Sequence, residues 1–388
     1  MVKIGTKLRL VAVILICLSI QPKIMATSSS SQPPSEIDEL LHSLEEIRQR
    51  EHVPSVALTL VDSDGIIWSG ALGVQDITTN EQATAETLYR IGSITKSFTA
   101  LALLLAQEQD LLSLQTPLKE LAPDAPLSNP WDENRPVTMA QLLEHSAGLT
   151  GLTQKEFNHS DPGPLTLGEA LAVAPEARVS RWPPGLHSSY TNAGAGLAAY
   201  ALQQVSERRY EDFVSDEIFA PLGMDQAGFF LDTETRDRLA TGYDNDGRTP
   251  IPYWHMIFRA FGGINATPLE MGAFVRLLLN SGRLPDGRSL LEATSIARME
   301  EPETTLAARA GLTYGYGLGN YTWIHNGFVF HGHGGDGDGY LSRYGYNRAI
   351  NRGYFLTINA FKNNSFESLR ECVEDYLTAG RTPPSPPP

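Results

Sequence analysis

Cysteine is nearly absent: the 388-residue chain has only Cys17 and Cys372. Cys17 sits in an N-terminal apolar run that reads as a removable leader, so Cys372 has no partner within the chain and the fold must hold without disulfides. Basic residues are scarce too, with 30 Lys and Arg against 45 Asp and Glu and a formal charge of -15. That charge repels phosphate backbones and anionic membrane surfaces over the Debye range, which excludes nucleic acid as a partner. Long apolar runs are missing as well. The stretch from Leu10 to Ile20 is roughly half of what a membrane span needs. What the chain does have is 41% hydrophobic residues, enough over this length for one large core, and this excludes a disordered or fibrous protein.

Lys3, Lys7 and Arg9 precede the apolar run, and a short polar stretch after it ends at Ala26. This is the pattern of a secretory signal peptide over residues 1–26, which implies export to the periplasm or the medium and no stable membrane insertion after cleavage. Lys23 and the Ile24-Met25-Ala26 end make an imperfect cleavage site, so an uncleaved N-terminal anchor is the alternative. Residues 27–34 form a Ser/Pro linker, 35–380 the folded domain and 381–388 a proline-rich tail.

Within the domain, Ser35 with Asp38 resembles a capping box, and Ile37, Leu40, Leu41, Leu44 and Ile47 repeat at helical spacing. SVALTLVD and IIWSGALGV then read as strands joined around Asp64-Gly65. From about 86 to 300 the pattern is mostly helical. Strand signals return in YGYGLGNYTWI, FVFHG at the start of which family of strands Asn326-Gly327 makes a hairpin turn, YLSRYGY and YFLTINAF, before a last amphipathic helix on Phe366, Leu369, Val373 and Tyr376. Strands at both ends and helices between predict an α+β fold, an antiparallel sheet built from the two termini with a helical insertion.

The segment TLYRIGSITKSFTALALLLAQ puts Ser93 at the entrance of a helix that is almost wholly apolar from Thr99 to Ala106, and a helix that apolar is buried. Ser93 and Lys96, at i and i+3, share a face, so the amine is placed to accept the hydroxyl proton. Apolar surroundings lower a lysine pKa from its usual value of about 10.4, and the helix start offers a backbone N–H where an oxyanion would form. Chance alone supplies on the order of one Ser-x-x-Lys in a chain this long, so the motif gains its weight from this setting.

YRIGSITKSFTA, QLLEHSAGLTG, PPGLHSSYTNAGAGLAAYALQQVSERRYEDFVSDEIFAPLGM, YGYGLG and HGGDGDGY together resemble the serine β-lactamase and penicillin-binding family. The likeness is to its class C-type branch, which includes esterases and D-amino-acid peptidases. The resemblance implies three active-site elements: Ser-x-x-Lys, Tyr-x-Asn, and Lys-Thr-Gly or His-x-Gly. It assigns Tyr190-Thr191-Asn192 to the second, in preference to Tyr243-Asp244-Asn245, and His333-Gly334-Gly335, at the start of a strand, to the third. His325-Asn326-Gly327 is set aside as a hairpin turn. On this likeness Tyr190 shares the proton with Lys96, and Asn192 holds Lys96 and the substrate amide. His333 and Gly335 border the substrate, and the N–H of Asp336 joins that of Ser93 as an oxyanion donor.

Dedicated β-lactamases and D-alanyl-D-alanine carboxypeptidases usually carry Lys where this chain has His333, and Asp336 and Asp338 stand close by. Two acids beside an oxyanion site disfavour anionic substrates. An ester or a D-amino-acid peptide, as a small-molecule ester, amide or peptide substrate, is therefore expected, unless Arg343 points into the cleft and restores the missing charge. A true β-lactamase or carboxypeptidase and a non-catalytic penicillin-binding-like protein are the alternatives. His331-Gly332-His333 with the two acids raises a metal site as a rival, but the further Asp-His of the metallo-β-lactamase pattern is missing. No Gly-x-Ser-x-Gly occurs, which argues against an α/β-hydrolase. The Ser-x-x-Lys chemistry needs no metal or organic cofactor.

Overall fold

The computed structural model describes residues 37–157 and 165–384. The expected signal peptide and Ser/Pro linker, Ser35 of the capping box and the last four residues of the tail lie outside them. Helix α1 (Ile37–Arg50) buries Leu40 and Leu44 and has Asp38 and Glu39 in its first turn and Arg48 and Arg50 in its last, as the helix dipole favours. Strands β1 (Ser55–Val61) and β2 (Ile66–Asp76) form a hairpin whose turn is closed by the Asp62 carboxylate, which accepts from the N–H of Asp64 and Gly65 at 2.9 Å. A short β3 (Glu81–Gln82) follows.

The chain then builds a mostly helical body. Three of its helices matter for the cleft: α2 (Thr95–Glu108), entered through a 3-10 turn at Gly92–Ile94, α3 (Asn192–Ser206) and α4 (Pro268–Leu279). Every residue of α2 from Thr95 to Ala106 is buried, as its apolar sequence predicts. The chain returns to the sheet with β4 (Tyr321–His325), β5 (Phe328–Gly337), β6 (Tyr340–Asn347) and β7 (Arg352–Ile358), and closes with α5 (Asn363–Thr378).

The seven strands form one antiparallel sheet in the order β3-β2-β1-β7-β6-β5-β4. The first and last long strands pair at its centre, with Val56 opposite Ile358 and Leu60 opposite Tyr354. All seven residues of β1 are buried because both faces of the sheet are covered. Leu58, Phe330 and Leu356 pack with Leu44 of α1 and Leu369 and Val373 of α5 on one side. Tyr344, Tyr346 and Phe355 pack with Phe98 of α2 and Phe274 of α4 on the other. Cys372 is half-buried against the first cluster, where burial pushes its thiol up to about 11.

Two strand expectations shift. The YGYGLG stretch is a turn and β4 begins only at Tyr321, because Gly319 adopts the left-handed region (φ 57°) and a side chain there would overlap the Lys96 carbonyl. His333-Gly334-Gly335 lies in the second half of β5 rather than at a strand start, since β6 pairs along β5 as far as Gly337. By contrast, β4 pairs with β5 only up to Gly332. Residues 333–337 are therefore sheet edge on that side, and an edge leaves backbone groups to be met by something else.

A buried carboxylate ties the helical body together beside this edge. Glu144 accepts from the N–H and hydroxyl of Thr304, at 2.8 and 2.6 Å, and from the N–H of Glu303, and it pairs with Arg298. Glu144→Ala leaves those donors and a largely buried cation unmatched. It should cost about 3 kcal/mol or more, read as a lower midpoint in denaturant unfolding; a loss of under about 1 kcal/mol, the size of an exposed pair, would show that Glu144 is not an anchor.

Candidate active site

The 3-10 turn holds Ser93 at the mouth of α2, and one turn on, Lys96 points back along the same face. Lys96 Nζ lies 2.9 Å from Ser93 Oγ and donates to the carbonyl of Phe261 at 3.0 Å. Lys96 is 2% exposed. Burial holds its pKa well below that of a free lysine, opposed in part by the Asp336 carboxylate. A buried amine with a lowered pKa, 2.9 Å from a serine hydroxyl, is placed to accept its proton.

The other residues singled out in the sequence converge here to different degrees. The Tyr190 ring lies 4.8 Å from Lys96 Nζ, beside Ser93. As a residue Tyr190 is half exposed, yet desolvation of its hydroxyl raises its pKa. Asn192 opens α3, whose first turn is capped by Thr191. It was expected to hold Lys96, but the Phe261 carbonyl takes that bond, and Asn192 Oδ1 is buried without a partner.

His333 was expected to border the substrate; the structure turns it inward. It is buried, with Nδ1 bonded to the Gly334 carbonyl and Nε2 accepting from the Tyr316 hydroxyl at 2.7 Å, so both ring nitrogens are engaged. Burial, and then the nearby Lys96, drive its pKa to about 3, and it is neutral at any physiological pH. Behind Tyr190 lies His145, its ring 4.4 Å from the Tyr190 ring and 4.5 Å from that of Tyr316. Its Nδ1 accepts from the Thr191 N–H at 3.3 Å, which fixes the backbone between Tyr190 and Asn192.

Two glycines let the sheet edge approach the nucleophile. A methyl on Gly335 would overlap the Ile91 carbonyl, and one on Gly92 (φ 54°) would lie 2.7 and 2.8 Å from the oxygen and nitrogen of Asp336. With no side chain between them, the backbone at Ser93 lies against the backbone at Asp336. Above this floor opens a cleft of about 370 Å³. Phe157, Trp254, Met256, Phe261 and Phe361 form its apolar walls, and Asp336 and Asp338 line it on the strand side. No Lys, Arg or His is among the described residues that line it. Arg343 is not among the cleft-lining residues: it lies over the rings of Tyr321 and Trp323 and 3.7 Å from Glu367, and its charge also acts on the Asp336 carboxylate, partly offsetting the rise that burial imposes there. His331 and His333 do not share a site either, since His331 stacks on Tyr346 and His333 bonds to Tyr316. Among the described residues no three His, Cys, Asp or Glu side chains are grouped for a metal.

Sequence reasoning did not single out Phe261, whose contribution is a backbone carbonyl and leaves no trace in residue type. His145 and Tyr316 were within reach, as both lie in segments that carry the family likeness, QLLEHSAGLTG and YGYGLG. The aromatic walls come from irregular segments with no readable pattern.

The antiparallel sheet with a helical body on one face and Ser93 and Lys96 at its edge invites comparison with known proteins. The β-lactamase family model matches residues 41–374, and the chain belongs to that family. It is similar to penicillin-binding protein 4 of Amycolatopsis lactamdurans, 26% identical over 307 residues that cover 76% of this chain and 78% of the relative. Among solved structures it resembles an octameric penicillin-binding protein homologue from Pyrococcus abyssi (TM-score 0.73, 24% identity, 88% of this chain and 78% of the other). A D-amino acid amidase from Ochrobactrum anthropi superposes with TM-score 0.71 at 23% identity, over 88% of this chain and 98% of the other. Among the described residues no helix is long and apolar enough to cross a membrane.

The state of Lys96 has a thermodynamic signature. An unfolded lysine keeps its proton up to about pH 10.4, whereas burial favours the neutral amine in the folded chain. Folding near neutral pH then releases a proton, and the stability lost in this way is recovered as pH rises toward the unfolded value. Lys96→Met should therefore gain most in melting temperature relative to wild type at neutral pH, with the gap narrowing toward pH 10. A difference constant across that range would mean that Lys96 is protonated in the folded protein.

Proposed function

We propose that this chain is an exported serine hydrolase that forms an acyl-enzyme on Ser93 and works as an esterase or D-amino-acid peptidase. The observation that carries this reading is the 2.9 Å contact between Ser93 Oγ and a buried Lys96 at the base of a cleft that, among the described residues, is lined by carboxylates and by no Lys, Arg or His. Ser93 Oγ attacks the acyl carbon while its proton passes to Lys96 Nζ. Lys96 is the acceptor because burial lowers its pKa, whereas burial raises that of Tyr190, which keeps its proton at neutral pH. Tyr190, whose ring lies 4.8 Å from Lys96 Nζ, relays a proton to the leaving amine or alcohol as the tetrahedral intermediate collapses.

The N–H groups of Ser93 and Asp336 hold the oxyanion, each such donor being worth about 3 kcal/mol of barrier. Water then attacks the ester carbon of the acyl-enzyme, giving its proton to Lys96, and Ser93 leaves with a proton returned. His333 acts from behind, as a neutral post for Tyr316 and the Tyr190 ring, and Gly335 acts by lacking a side chain. The substrate preference follows from charge. β-Lactams and D-alanyl-D-alanine peptides present a carboxylate, which Asp336 and Asp338 repel at close range. The amidase among the fold neighbours and the penicillin-binding relatives are consistent with amide or ester substrates for this chain as well.

Intact-protein mass spectrometry with a fluorophosphonate should show one adduct on wild type and none on Ser93→Ala. In a panel of short p-nitrophenyl esters, a D-amino-acid amide, a D-alanyl-D-alanine peptide and a cephalosporin, turnover of the first two should exceed that of the last two. A cephalosporin turned over faster than the esters would sink the substrate assignment, and an adduct that survives Ser93→Ala would sink the mechanism.

A further inference from the structure

His145 stands in the left-handed backbone region (φ 58°), which a residue with a side chain enters at a cost. Such a conformation persists only where its surroundings hold it. What holds it here is the segment that carries Tyr190. The His145 carbonyl accepts from the Ser189 N–H at 2.8 Å, and its Nδ1 accepts from the Thr191 N–H at 3.3 Å. One residue thus binds the chain on both sides of Tyr190. The Thr191 hydroxyl adds a third tie, donating to the Thr150 carbonyl at 2.6 Å.

The imidazole also meets the phenol itself. Its ring packs 4.4 Å from that of Tyr190 and 4.5 Å from that of Tyr316, and Tyr316 in turn donates to His333 of β5. A line of contacts therefore runs from the sheet to Tyr190, whose own surface is half exposed. Because Nδ1 accepts the Thr191 N–H, the neutral ring carries its proton on Nε2, which is buried with no hydrogen-bond partner among the described residues. Burial, and then the nearby Lys96, favour this neutral form, and a protonated ring would lose the Thr191 bond because both nitrogens would then be donors. A leucine or phenylalanine would fill the same space without holding the Thr191 N–H.

We propose that His145 is a positioning residue for Tyr190: by holding Ser189 and Thr191 and packing on the phenol, it keeps the Tyr190 hydroxyl where the leaving group departs. The proposal rests on the reading of Tyr190 as the proton donor to that group. The Ser93 proton passes to Lys96, Tyr190 gives its own proton to the leaving oxygen as the C–O bond breaks, and Lys96 restores it. No proton passes through His145. The consequence is selective, because an alkoxide needs the proton as it leaves and p-nitrophenolate does not.

The test measures kcat/KM, which reports acylation, for ethyl acetate and p-nitrophenyl acetate with the full chain. The ratio of the two substrates on one preparation is independent of the fraction that has folded. His145→Asn tolerates the left-handed backbone and keeps an acceptor but loses the ring, whereas His145→Phe keeps a ring and loses the acceptor. Either or both should lower the ethyl to p-nitrophenyl ratio by about tenfold or more relative to wild type, and Tyr190→Phe by about a hundredfold or more. If Tyr190→Phe lowers the ratio and neither His145 variant does, the positioning role is overturned and Tyr190 keeps its assignment. A ratio that Tyr190→Phe leaves at the wild-type value overturns the reading of Tyr190 and this proposal together.

Discussion

The carbonyl of Ile91 occupies the space a side chain on Gly335 would need, and Asp336 crowds Gly92 from the other side. This backbone-to-backbone contact joins the sheet edge to the start of α2. It places the Ser93 turn beside the unpaired half of β5, beyond the point where β4 stops pairing at Gly332. If β4 ran further, the edge would be closed and the turn would have nowhere to dock. If either glycine carried a methyl, the two backbones would part by an ångström or more, enough to spoil an oxyanion site whose donors must sit within about 3 Å of one atom. The large sheet, covered on both faces, serves as the rigid support that such tolerances require.

Burial then sets the protonation of nearly every group around Ser93. Desolvation drives Lys96, His145 and His333 toward their neutral forms; the Asp336 carboxylate opposes this at Lys96, while Lys96 adds to it at the two histidines. Tyr190 and Tyr316 are held protonated for the same reason. Burial therefore disfavours charge inside the site, while Asp336 and Asp338 line the cleft beside it. On the proposed mechanism, this division lets Lys96 act as a base while the cleft favours neutral or cationic ligands.

Much of this was legible in the sequence because it depends on periodicity and on short motifs. The apolar run after Lys96 announced a buried helix, Asp64-Gly65 and Asn326-Gly327 marked hairpins, and strands at both ends implied a sheet assembled from the termini. Other features depend on where backbone goes and could not be read. The Phe261 carbonyl takes the bond expected of Asn192, although nothing in residue type distinguishes Phe261 from other core aromatics. Whether Arg343 faces the cleft depended on its register in β6, where it shares a side of the sheet with Leu341 and so meets Glu367 of α5. The inward turn of His333 follows from alternation along β5, once the strand is known to continue to Gly337.

The account stands on one claim, that Lys96 is a neutral amine that takes the Ser93 proton. The most direct measurement is the pH dependence of the rate at which an uncharged fluorophosphonate acylates Ser93. The rate should rise through an inflection well below pH 10.4, and Lys96→Arg, which keeps a fixed charge, should abolish the rise. An inflection at the value of a free lysine, or an arginine variant that reacts as fast as wild type, would contradict it.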